Sequence, residues 1–171
     1  MANILLIVAP VDFRDEEALV PKKIFEENGH NVKVASKGTG EAKGKLGASL
    51  KVDADIGNVN ADEFDAIVFA GGPGAKIYFN DAKALGIARD AAAKGKVVAA
   101  ICIAPRILAN AGILEGKKAT TWDPGDGSES RKLEEKGAKY TGNDVEIDGK
   151  IITANGPAAA EKFANKIIEL L

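Results

Sequence analysis

Three stretches of the chain are almost uninterrupted apolar runs, and each stops abruptly at a turn: Asn3 to Ala9 (NILLIVA), Asp65 to Ala70 (DAIVFA) and Lys96 to Ile101 (KVVAAI). A strand with one wet face alternates polar and apolar residues, whereas a strand covered on both faces does not. These runs therefore predict central strands of a parallel sheet, and the segments between them predict the helices that cover it. Residues 15 to 28 carry Leu19, Ile24 and Phe25 at helical spacing and end at Gly29, a good helix C-cap. Pro21 inside this segment predicts a kink or local break. A second helix is expected from Asp81 to Lys94, stopped by Gly95, and a third from Ala104 to Asn110. Asn31 to Ala35 (NVKVA) alternates as a strand. Strands alternating with helices give an α/β fold with a parallel sheet and helices on both faces.

The remaining segments are shorter. Ser36 to Gly47 reads as a loop, and Leu46 to Val52 as an extended strand or half of a hairpin. Lys118 to Thr121 is a short strand, Trp122 to Gly127 a loop and Ser128 to Lys136 a polar helix. Asn143 to Ala154 forms a small antiparallel hairpin around Asp148-Gly149, a strong turn signal. Pro157 opens the last helix, with Phe163, Ile167, Ile168 and Leu171 on its apolar face. No linker, low-complexity segment or repeat divides the 171 residues, so one domain over 1–171 is expected.

Composition narrows the function. Lys plus Arg total 23 against 25 Asp plus Glu, with no basic stripe interleaved with aromatics, which argues against nucleic acid as the main partner. The run from Ile4 to Ala9 is too short to span a bilayer and lacks the flanks of a signal peptide. No membrane association and a cytoplasmic location are the expectation. A single cysteine, Cys102, excludes an internal disulfide, and a single histidine, His30, argues against a structural zinc site.

In such folds the active site lies at the carboxyl ends of the strands. Three loops start there: Gly71-Gly72-Pro73-Gly74, the turn at Cys102, and the loop at Trp122. Cys102 follows a buried strand directly, and Pro105 suits the first turn of the next helix. This is the logic of a nucleophile elbow with a thiol in place of a hydroxyl. A helix N-terminus behind the sulfur favours thiolate over thiol, so an acidic, accessible Cys102 is expected. Free cysteine is also among the most buried residue types, so an inert core residue is the competing reading. The glycines of the first loop leave N–H groups open to a developing oxyanion, or form a plain turn. The acidic run Asp15-Glu16-Glu17 complements the dipole of the first helix, and one carboxylate is free to face the space above the first strand. Spacing does not say which. His30 falls at the amino edge of the sheet, opposite Cys102, which argues against a Cys–His dyad within one chain.

Together these segments resemble the ThiJ/PfpI superfamily, which includes PfpI-type intracellular peptidases and the protein deglycases. The likeness covers nearly the whole chain: ILLIVA, the acidic segment ending E-x-x-x-P (Glu17 to Pro21), EENGHNVKVAS, DEFDAIVFAGG, VVAAICIAPRILANAGIL and DVEIDGKIITANGP. The resemblance implies a flavodoxin-like fold and homo-oligomers, dimers or larger. It places Cys102 as nucleophile and Glu17 as the carboxylate beside it. It also places Gly72 and Ile103 as oxyanion donors, with Gly71, Trp122 and Asn155 around the pocket. Departures are visible. Ile103 stands where the peptidases carry His after the cysteine. Trp122 stands where the deglycase branch has His, and Asn155 where that branch has Arg.

The expectation is a cysteine enzyme of the glyoxalase or deglycase kind, without metal or organic cofactor, acting on small reactive aldehydes or glycation adducts. An intracellular hydrolase or cysteine peptidase is the second reading. A non-enzymatic redox sensor or chaperone with an oxidisable Cys102 is the third, and the missing histidines favour it over the second.

Overall fold

The computed structural model describes residues 1–171. In chain order the elements are β1 (Asn3–Ile7), β2 (Val11–Phe13), α1 (Asp15–Glu27), β3 (Asn31–Ser36), β4 (Gly40–Gly44), β5 (Ser49–Val52) and β6 (Ala54–Asp55). They continue through β7 (Ala66–Phe69), α2 (Ala82–Ala93), β8 (Val97–Ile101), α3 (Pro105–Asn110), β9 (Lys118–Ala119) and α4 (Ser130–Glu134). The chain closes with β10 (Lys139–Tyr140), β11 (Val145–Asp148), β12 (Ile151–Ala154) and α5 (Ala160–Leu170).

Seven strands form the main sheet in the order β11-β12-β8-β7-β1-β3-β6. All neighbours are parallel except β11, which runs antiparallel to β12 at one edge. The apolar runs fall where the sequence places them: every residue of β7, β8 and β12 is buried, and Ile4 to Ile7 are fully so. α1 and α5 pack together on one face, and α2 and α3 cover β8 on the other. The small residues Ala84, Ala88 and Ala91 form the buried side of α2, which lets its backbone lie close to the sheet. A single apolar cluster runs from Ile4 to Ile167.

The chain leaves β1 toward β3 on one side and returns to β7 on the other. The crevice between the carboxyl ends of β1 and β7 is thus a topological switch point, where such sheets bind ligands.

Several local readings change. α1 runs unbroken through Pro21, which is buried. Proline has no N–H for the residue four positions earlier, so the cost is one hydrogen bond at the Glu17 carbonyl rather than a break. The segment read as a loop contains β4, which pairs antiparallel with β5 and parallel with β2 in a separate three-stranded sheet. Leu46 to Val52 thereby supplies one arm of a hairpin. β9 stops at Ala119 and pairs with β10 outside the main sheet. The polar helix shortens to α4, and Pro157 opens a 3-10 turn, Pro157–Ala159, before α5. No helix is long and apolar enough to cross a membrane.

Candidate active site

The apolar strand β8 ends at Ile101, and Cys102 immediately takes a left-handed backbone conformation, φ 64°. Only glycine adopts this without strain, and a non-glycine residue held there costs on the order of 1–3 kcal/mol. The surroundings hold it in place. Cys102 N–H donates to the Ala154 carbonyl at 2.9 Å. The Cys102 carbonyl accepts from Trp122 N–H at 2.9 Å and from the Thr121 hydroxyl at 2.8 Å. The elbow is therefore clamped by β12 on one side and by the Trp122 loop on the other.

The glycine loop is tied to the start of α1. Arg14 N–H donates to the Gly71 carbonyl at 2.9 Å. Gly72 has φ 97°, and a Cβ there would run into the backbone of Asp12, Phe13 and Arg14. A Cβ on Gly71 would overlap Glu17 Oε2, Cys102 Cβ and the Ile101 carbonyl. Both glycines are thus required by close approach. Gly71 forms the floor beneath the Cys102–Glu17 pair rather than part of the cavity wall.

Of the three acids that open α1, only Glu17 lies against Cys102 and lines the site. Asp15 accepts the N–H groups of Leu46 and Ala48 at 3.0 and 2.9 Å, anchoring the β4–β5 turn. Glu16 is held by the Arg14 guanidinium at 2.8 and 3.2 Å. Glu17 is fully buried, and neither of its oxygens has a partner in full hydrogen-bond geometry. Burial pushes its carboxyl up to about 7, against smaller downward pulls from the Cys102 thiol and the Gly71 N–H.

The thiol differs from the acidic one expected. Burial, followed by the charge of Glu17, pushes Cys102 up to about 12. The N–H groups of Gly72 and Ile103 pull in the opposite direction but do not win. Neither N–H is taken by a backbone carbonyl, so both are free for an oxygen formed next to the sulfur. α3 is only six residues long, which limits the dipole that the sequence reading relied on.

A cavity of about 350 Å³ opens above the pair. Glu17, Gly72, Cys102, Ile103 and Trp122 all line it. Asn155 does not: its N–H and side-chain amide donate to the backbone and carboxylate of Asp144, at 3.0 and 3.2 Å, on the edge of the sheet. His30 accepts the Ala2 N–H at 3.1 Å, beside the amino end of β1 and across the sheet from Cys102. No three His, Cys, Asp or Glu side chains are grouped to hold a metal ion. The wall also includes Arg14, Lys45 and Lys76, which sequence reasoning missed. Lys45 comes from the β4–β5 turn and Lys76 from the 3-10 turn Pro73–Tyr78. Only the GGPG run hinted that its own loop borders the site.

A doubly covered parallel sheet with a cysteine elbow, a buried carboxyl and free backbone donors at its switch point defines a class of cysteine-centred α/β proteins. The chain belongs to the DJ-1/PfpI family, whose model matches residues 2–170. It is 42% identical over 171 residues to the uncharacterised protein MJ0967 of Methanocaldococcus jannaschii, covering 99% of this chain and 82% of that one. It is 35% identical over 167 residues to the deglycase PH1704 of Pyrococcus horikoshii, covering 98% of each. Among solved structures, a ThiJ/PfpI domain protein from Brachyspira murdochii superposes with a TM-score of 0.93 at 36% identity, covering 98% of this chain and 95% of that one.

Proposed function

We propose that the protein is a cofactor-free cysteine enzyme of the glyoxalase or deglycase kind, acting on reactive α-oxoaldehydes or their adducts. The observation that carries this is the Glu17 carboxyl, buried beside Cys102 and poised near neutrality. A group with that pKa can take and return protons at working pH. Because the resting sulfur is a thiol, Glu17 takes its proton as sulfur adds to the aldehyde carbon. The new oxyanion rests on the N–H groups of Gly72 and Ile103, and Glu17 then protonates it to give a hemithioacetal. The freed carboxylate carries the C1 hydrogen to C2 as a proton, and the hydroxyl proton passes from the C1 oxygen to the C2 oxygen through the enediol, which leaves a 2-hydroxy thioester. Water hydrolyses the thioester and regenerates the thiol. The sum is α-oxoaldehyde plus water to 2-hydroxy acid, with C1 oxidised and C2 reduced.

The relatives named as deglycases support the same chemistry on adducts. Peptide cleavage fits less well. An amide needs a proton delivered to its leaving nitrogen, usually by imidazole, and the only histidine lies across the sheet. A lone thiol that must stay reduced suits a cytoplasmic setting. The test is lactate formation from methylglyoxal by the pure protein. The wild type is expected to make lactate and Cys102→Ser none. Absence of both lactate formation and release of a model adduct by the wild type would overturn the reading.

A further inference from the structure

The wall of the cavity is strongly biased in charge. Arg14, Lys45 and Lys76 contribute three cations, and Glu17 is the only acid among the lining residues. Arg14 is neutralised by Glu16 at 2.8 Å. Lys45 and Lys76 have no acidic partner within ion-pair distance and make no side-chain hydrogen bond, although ten other ion pairs form across the molecule. Three acids adjoin lining residues in sequence and are committed elsewhere: Asp15 to the Leu46 and Ala48 N–H groups, Glu16 to Arg14, and Asp123 to the N–H groups of Gly125, Gly127, Glu129 and Ser130. Two exposed lysines from separate turns, neither of them ion-paired, therefore line the cavity that holds the nucleophile.

We infer that the site selects carbonyl compounds bearing an anionic group, a carboxylate or a phosphate, set a few bonds from the reacting carbon, with Lys45 and Lys76 holding the anion. The inference rests on Cys102 and Glu17 being the reacting pair and adds the substrate class. The apolar wall of Ile103 and Trp122 faces the carbon chain between the two ends. An anionic α-oxoaldehyde such as 4,5-dioxopentanoate would take up water and become 2-hydroxyglutarate by the internal redox step above, with no external oxidant.

The test reads the pocket without requiring turnover. The rate constants for alkylation of Cys102 by iodoacetate, an anion, and iodoacetamide, its neutral counterpart, are measured on wild type and on Lys45→Gln/Lys76→Gln. Their ratio cancels the thiolate fraction common to both reagents. The ratio is expected to fall about fivefold or more in the double variant. It should fall similarly in wild type at about 1 M salt, where the screening length is about 3 Å. A ratio unchanged by both treatments overturns the inference. In parallel, kcat/KM is compared for 4,5-dioxopentanoate and neutral 2-oxopentanal, with the anion expected to lead and the lead to shrink in the double variant. If the alkylation ratio falls but neither compound is turned over, the anion preference stands and the catalytic reading fails. If both are turned over equally and the ratio holds, the catalytic reading stands and this inference fails.

Discussion

Glu17 is where the proposed function works against stability. Its carboxyl moves from 4.5 to about 7 on folding, because burial disfavours the charged form. Between those values the folded chain holds a proton that the unfolded chain has released. Stability therefore falls as pH rises through this window, and the full penalty, about 3 kcal/mol, applies above pH 7. Glu17→Gln should remove it. Thermal unfolding is expected to show the variant more stable than wild type at pH 8 and little changed at pH 4. Equal stability at pH 8 would mean that the carboxyl is not held in this way. The sequence made Cys102 legible because an apolar run stops at it, and Glu17 legible through the E-x-x-x-P likeness. The direction of the thiol's pKa was not legible, since it depends on how deeply both groups are buried. Lys45 and Lys76 were hidden for a related reason: each enters the wall from a turn placed by distant strand pairing.

At the scale of elements, the site is a junction of three strand ends, and Gly71 is its tightest point. Gly71→Ala would force a methyl against Glu17, Cys102 and the Ile101 carbonyl. Overpacking of this kind costs about 1–3 kcal/mol. The expected outcome is a folded protein with turnover reduced at least tenfold and slower Cys102 alkylation, read by circular dichroism and iodoacetamide labelling. Unchanged labelling would contradict the packing described. The strands that build this junction were readable because β1, β7 and β8 are apolar on both faces. β4 was not, since GEAKG has one apolar residue, Ala42, and is a strand only because β2 and β5 flank it. α1 was readable but its continuity through Pro21 was not: tertiary packing of Pro21 and Phe25 overrides the local cost of proline.

For the whole molecule, the exposed apolar residues matter most. Val11 on β2 and Ile77 on the Pro73–Tyr78 turn are 59% and 42% exposed on elements packed against each other. The same turn carries Lys76 into the cavity wall. Burial of such residues in a symmetric contact beside the site is the proposed basis of self-association, and a closed dimer is the commonest arrangement. Sedimentation at micromolar concentration is expected to give a multiple of the 17.8 kDa chain mass, shifting toward monomer in Val11→Lys/Ile77→Lys. A monomer for wild type under those conditions would remove this contact from the account.

The measurement that bears most directly on the central claim is the pH dependence of kcat/KM for an α-oxoaldehyde, in wild type and in Glu17→Gln. If Glu17 takes the thiol proton as sulfur adds, the wild-type rate should rise with a midpoint near pH 7, the value burial gives this carboxyl, and then level off. Glu17→Gln should lose that limb and fall by about 100-fold or more. A wild-type rate that keeps climbing past pH 9, as a free thiolate would require, would contradict the account, as would a midpoint near 7 that survives in Glu17→Gln.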